Sequence, residues 1–232
     1  MERPIPKENP LASLVCNIVL PAVILYKFSS PERLGPVYGL VAALSLPLGY
    51  SLYDFVRRRK ASGIAILGFV SVLLTGGFGL MKLDGIWFAV KEASIPGLIG
   101  IAVVASLKTR YPLVRTLLYN EKVIDVPRVD NELTARGNRE EFDRLLVMTT
   151  WILAASFVVS AALNFVLAVM LLKSPAGSEA FNQELAQMTM LSYPVIVVPS
   201  MIVTLVALWR LLSGIKKLTG LNLESIFKPE TK

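Results

Sequence analysis

Apolar runs separated by short polar segments dominate the chain. Six of them stand out: Leu11 to Phe28, Gly35 to Phe55, Ser62 to Met81, Ile86 to Leu107, Leu145 to Leu172 and Met190 to Leu212. A helix rises 1.5 Å per residue, so crossing a hydrocarbon core of about 30 Å takes about 20 residues. Each run therefore predicts one membrane-spanning helix. Helices of a water-soluble protein carry a polar face, and these runs are apolar all round. The pattern predicts an all-α integral membrane protein: a single membrane domain over residues 1–232, six transmembrane helices, and one sizeable loop at about 108–144.

Lys and Arg fix the expected orientation. The N-terminal segment, Arg57 to Lys60, the loop from Lys108 to Arg144 and the chain from Arg210 onward together hold 19 of the 24 basic residues. By the positive-inside rule these segments, and with them both termini, are expected in the cytoplasm. The six helices then form three hairpins. The net charge of +7 is explained by topology and by contact with anionic lipid head groups, and nucleic acid is not an expected partner. The segment Met1 to Pro10 mixes Glu2 and Glu8 with Arg3 and Lys7, and no small-residue cleavage site ends the first run. That run is expected to stay as the first helix.

Composition removes much chemistry. The chain is 54% hydrophobic and 18% charged, with no His and one Cys, and its mean hydropathy is +0.59. Without His there is no Ser-His-Asp triad, no imidazole general base and no His-ligated metal. Cys16 can form no internal disulfide and reads as a packing residue. No catalytic, cofactor-binding or metal-binding set is expected, and no cofactor.

Five prolines interrupt the runs: Pro21, Pro47, Pro96, Pro194 and Pro199. An interior proline deletes a backbone hydrogen bond and bends the helix, so each predicts a kink. Static kinks that shape packing and a hinged helix lining a cavity both fit. The phrases Asn17-Ile-Val-Leu and Asn164-Phe-Val-Leu also hint at an internal repeat.

The polar residues inside the runs are the candidate functional residues. Lys91 and Glu92 lie about one and a half turns inside the fourth helix. Adjacent side chains point about 100° apart, so the two are not expected to neutralise each other. Either Lys91 snorkels to the outer interface beside Trp87 while Glu92 meets water or another helix, or one of them lines a path for a substrate, ion or proton. Asn17 and Asn164 are expected to bridge helices. Asp54 is expected to partner the basic run after it. Gly76, Gly77 and Gly79 suggest close approach of a neighbouring backbone. In the loop, Asn138 to Glu141 reads as a capping box that starts the fifth helix, with Asp at 138 expected to be tolerated.

Several phrases occur in family order: Pro21-Ala-Val-Ile-Leu-Tyr-Lys27, Phe55-Val-Arg-Arg-Arg-Lys60, Leu74-Thr-Gly-Gly-Phe-Gly-Leu80, Trp87-Phe-Ala-Val-Lys91, Lys108-Thr-Arg-Tyr-Pro-Leu-Val-Arg115 and Ala162-Leu-Asn-Phe-Val-Leu-Ala168. In that order they resemble the bacterial intracellular septation protein A family, also called the inner membrane-spanning protein YciB family, and a six-helix branch of it. The resemblance implies a non-enzymatic multi-pass protein of the bacterial inner membrane, associated with septation and cell-envelope maintenance and acting through other envelope membrane proteins. The chain departs from shorter members in its longer segments Tyr111 to Arg144 and Lys173 to Gln187. The alternative reading is a small transporter or channel for a lipid or small metabolite.

Overall fold

The computed structural model describes residues 15–58, 63–109, 113–120 and 123–228. Ten α-helices run through them: α1 (Leu20–Phe28), α2 (Gly35–Arg58), α3 (Gly63–Leu80), α4 (Gly85–Ala105), α5 (Leu113–Leu117), α6 (Val126–Ala135), α7 (Arg139–Leu171), α8 (Glu179–Ser192), α9 (Val198–Thr219) and α10 (Leu223–Ile226). A π turn (Val15–Val19) leads into α1, another (Tyr193–Val197) joins α8 to α9, and a 3-10 turn (Ser106–Lys108) ends α4. Among the described residues there is no β-strand; one antiparallel bridge pairs Ile124 with Phe227.

Three helical stretches are long and apolar enough to cross a membrane: Gly85–Lys108, Arg139–Leu171 and Glu179–Thr219. Their outward surfaces are apolar too. Leu98 and Ile101 on α4, Val158 and Met170 on α7, and Ile202 and Leu205 on α9 are all more than half exposed. A surface of this kind suits lipid and not water.

The chain forms two compact units, residues 1–95 with 161–196 and residues 96–160 with 197–232. The first is built around Ala22 and Leu25 of α1, Leu40 and Ala43 of α2, Phe88 and Ala89 of α4, Leu167 and Ala168 of α7, and Phe181 and Leu185 of α8. Phe88 sits at its centre, edge-on to Phe78 (centroids 5.7 Å apart) and Phe181 (5.0 Å). Such ring pairs contribute about 0.5–1.5 kcal/mol each beyond their buried area. The turn between α7 and α8 is held by the Glu184 carboxylate, which accepts from the backbone N–H groups of Lys173 (3.0 Å) and Ser174 (2.9 Å) and from the Ser174 hydroxyl (2.7 Å).

The second unit closes around Val103, Val114, Tyr119, Val129, Leu133, Phe142, Leu146, Leu211, Ile215 and Ile226. Asp125 caps α6 by accepting from the Arg128 N–H (3.2 Å), with a proline in the first turn. The segment before α6 is tied to the end of the chain: Asp125 N–H donates to the Ile226 carbonyl (2.8 Å) and Lys228 N–H to the Val123 carbonyl (3.0 Å).

Where they are described, the six predicted runs are helical except at Met81 and Leu172, which lie just past helix ends. Residues 11–14 and Ser62 lie outside the described residues. The loop predicted at 108–144 contains α5, α6 and the first turn of α7. The sixth run was expected to begin at Met190, yet helix begins eleven residues earlier, capped by the Ser178 hydroxyl accepting from Phe181 N–H (3.1 Å).

The prolines also divide into two groups. Pro47 and Pro96 lie inside regular helix, α2 and α4. Pro21 and Pro199 instead occupy the first turns of α1 and α9, directly after the two π turns, and Pro194 lies within the second π turn. The backbone at Val19 and Val197 is itself helical, so both prolines stand within continuous helix, each beside a π turn, and proline and π turn are both features that bend a helix.

The glycine expectation changes as well. What approaches Gly76 and Gly79 is not backbone but the Leu44 and Leu40 side chains of α2, Leu40 lying 2.5 Å from where a Cβ would stand on Gly79; Gly77 has nothing within 4 Å.

Candidate functional site

Helices α3 and α4 are joined by a four-residue turn, with Lys82 in the left-handed region (φ 53°) and Leu83 N–H bonded to the Phe78 carbonyl (3.0 Å). So short a connection returns the chain along itself. Residues equally far from the turn come level, and Thr75 on α3 meets Lys91 on α4.

Ser71 and Thr75 are one helical turn apart and share a face of α3. The Thr75 hydroxyl donates to the Ser71 carbonyl (3.0 Å), leaving its oxygen to accept from Lys91 Nζ (2.6 Å). Ser71 Oγ lies 3.4 Å from the same nitrogen, and Glu92 Oε1 lies 2.6 Å from it. An ammonium has three N–H donors, and here each has an acceptor. The Lys91 side chain is 4% exposed and that of Glu92 26%.

Two expectations are corrected by this geometry. Lys91 does not snorkel outward beside Trp87; it points to α3 and is buried. Lys91 and Glu92 do neutralise each other. The 100° offset applies to their Cβ directions, whereas a four-carbon stem and a two-carbon stem can curl together at their ends.

The other sequence candidates are placed as follows. Asn164 is half-buried on α7. The backbone of Asn17 is in the first π turn and that of Asp54 in α2, while their side chains lie outside the described residues. Pro47 is buried, Pro96 half-buried, and Pro194 exposed. Among the described residues no three His, Cys, Asp or Glu side chains gather so as to hold a metal ion.

Two polar groupings escaped the sequence reading. Asn182 on α8 is fully buried and donates through Nδ2 to Ser29 Oγ (2.9 Å) and to the Pro36 carbonyl (2.8 Å). Gly39 makes room for this knot, since a Cβ there would stand 2.6 Å from Ser29 Oγ. In the second unit, the buried Tyr119 hydroxyl donates to Asp130 Oδ1 (3.0 Å), and the Tyr119 ring packs on Phe142. Burial, then the Asp130 charge and the hydrogen bond to it, push the phenol well above its ordinary range. Only Ser71 and Thr75 had a readable signal, a pair of hydroxyls at helical spacing in a run next to one that carries a lysine.

Set against protein-family models, curated proteins and solved structures, the chain gives no match to any of the three.

Proposed function

We propose that this chain is a non-enzymatic, multi-pass protein of the bacterial inner membrane, with six membrane-crossing helices and both termini in the cytoplasm, serving septation and envelope maintenance through other envelope membrane proteins. The family-like phrases and their order support the role. The three long apolar helices and their exposed apolar surfaces support the location.

The saturated ammonium of Lys91 carries the non-transporting part of the reading. A lysine that lines a path must keep a donor free for what passes, and here Thr75, Ser71 and Glu92 take all three. The cluster acts as a polar staple between α3 and α4. A transporter is the second reading, favoured by one observation: the Glu92 side chain is partly exposed.

The two readings separate in a variant that empties the staple of charge, Ser71→Ala/Thr75→Val/Lys91→Met/Glu92→Gln. Replacing a whole buried ion cluster by apolar groups of similar volume is often neutral or stabilising. In a deletion strain the variant should therefore reach normal membrane levels and restore cell length and envelope permeability. Normal levels with no rescue would overturn the staple reading in favour of a path.

A further inference from the structure

The second unit contains a half-open groove of about 380 Å³ between α7 and α9, within the range of ligand clefts, about 300–1,000 Å³. Its rim is basic: Arg144 from α7, Arg210 and Lys217 from α9, against the single carboxylate of Glu141. Among the described residues no carboxylate lies within ion-pair distance of any of these three cations, and the side-chain hydrogen bond of Arg210 is a weak one to Met148 Sδ (3.8 Å). The wall is apolar, formed by Leu145, Met148 and Trp209, and Trp209 is 65% exposed. Gly214 forms part of the floor and leaves room for the Leu145 side chain, which a Cβ would strike.

We infer that this groove binds the head group of an anionic phospholipid, its phosphate held by Arg144, Arg210 and Lys217 and the upper part of its acyl chains laid along Met148 and Trp209. Topology alone accounts for basic residues at a helix end, but not for their convergence from two helices on one concavity with an aromatic wall. Arginine suits the task, because its planar fork matches phosphate oxygens two at a time. A free phosphate would use the cations and leave the apolar wall idle; a phospholipid uses both. The inference rests on the membrane reading above.

The test uses the full chain in nanodiscs of phosphatidylcholine with a minor fraction of brominated phosphatidylglycerol, in a Trp87→Phe/Trp151→Phe background where Trp209 alone fluoresces. Quenching should exceed that from the same fraction of brominated phosphatidylcholine. Arg144→Gln/Arg210→Gln/Lys217→Gln should remove the excess, with each single change weakening the preference about five-fold, the effect of one basic side chain near an anionic surface. Arg128→Gln/Lys216→Gln/Lys228→Gln, which removes equal charge outside the groove, should leave the excess intact. Equal quenching by the two lipids, or loss of the excess in that control variant, would overturn the site. Loss of the excess on adding inorganic phosphate would also overturn it, in favour of a free phosphate ligand. Failure of the membrane reading looks different: the chain would not enter the nanodisc at all. An inverted orientation would not mask the result, because both leaflets carry the lipid.

Discussion

Thr75 gives its proton to the Ser71 carbonyl and keeps a lone pair for Lys91. Thr75→Val preserves shape and removes that acceptor, leaving a buried ammonium one partner short. The expected loss is about 1–3 kcal/mol, read as a lower unfolding midpoint of the purified protein in micelles. An unchanged midpoint would mean the staple is not where the ammonium gains its support. Tyr119 makes a prediction in pH. Its phenol is raised above the ordinary value of 10.0 in the fold, so above that pH the unfolded chain loses a proton that the folded chain keeps. Stability present below pH 10 should fall as pH rises past it. Tyr119→Phe should flatten part of that fall, and identical slopes for the two proteins would count against the phenol's role. At this scale the sequence disclosed Lys91, because a charge in an apolar run is conspicuous. It did not disclose Ser71 and Thr75 as partners, since hydroxyls hardly change hydropathy and their meeting with Lys91 depends on the position of the turn.

Helix boundaries were legible where capping chemistry coincides with a change in hydropathy, and hidden where the two separate. The start of α7 was readable: the sequence Asn138 to Glu141 marks it, and the helix begins at Arg139. What the capping argument missed is a tie elsewhere, Asn138 Nδ2 donating to the Leu218 carbonyl (2.7 Å) near the end of α9. A carboxylate has no such donor. The expectation that Asp is tolerated at 138 therefore acquires a cost: Asn138→Asp should lose the tie and destabilise by about 0.5–1.5 kcal/mol. Asn138→Ala should lose more. Hydrogen exchange checks this, with Asn138→Asp speeding exchange at the last turn of α9 as well as at Arg139 to Phe142. Exchange confined to α7 would deny the tie. The early start of α8 was masked because Glu179, Asn182, Gln183, Glu184 and Gln187 lower its hydropathy, although Asn182 faces inward and is wholly buried. Hydropathy records what a side chain is, and not which way the helix turns it.

For the molecule as a whole, the all-helical class follows from composition and run length alone, whereas the two cores do not, because each is assembled from distant stretches of chain. Orientation in the membrane is open to a direct check. With Cys16 replaced, cysteines at Glu32 and Lys173 should react with an impermeant thiol reagent in intact cells, and cysteines at Arg128 and Lys228 should not. All four positions are exposed in the fold, so protection cannot come from burial; labelling at Arg128 would reverse the topology. The knot between Asn182 and Ser29 has a consequence for biosynthesis. Its two residues are 153 positions apart, and at about 5–20 residues per second the ribosome needs about 8–30 s to travel from one to the other. For most of that interval α1 and α2 are already made while the Ser29 hydroxyl and the Pro36 carbonyl wait for the amide that will satisfy them. The newborn hairpin is then open to mispairing, and the arrival of α8 ends its exposure.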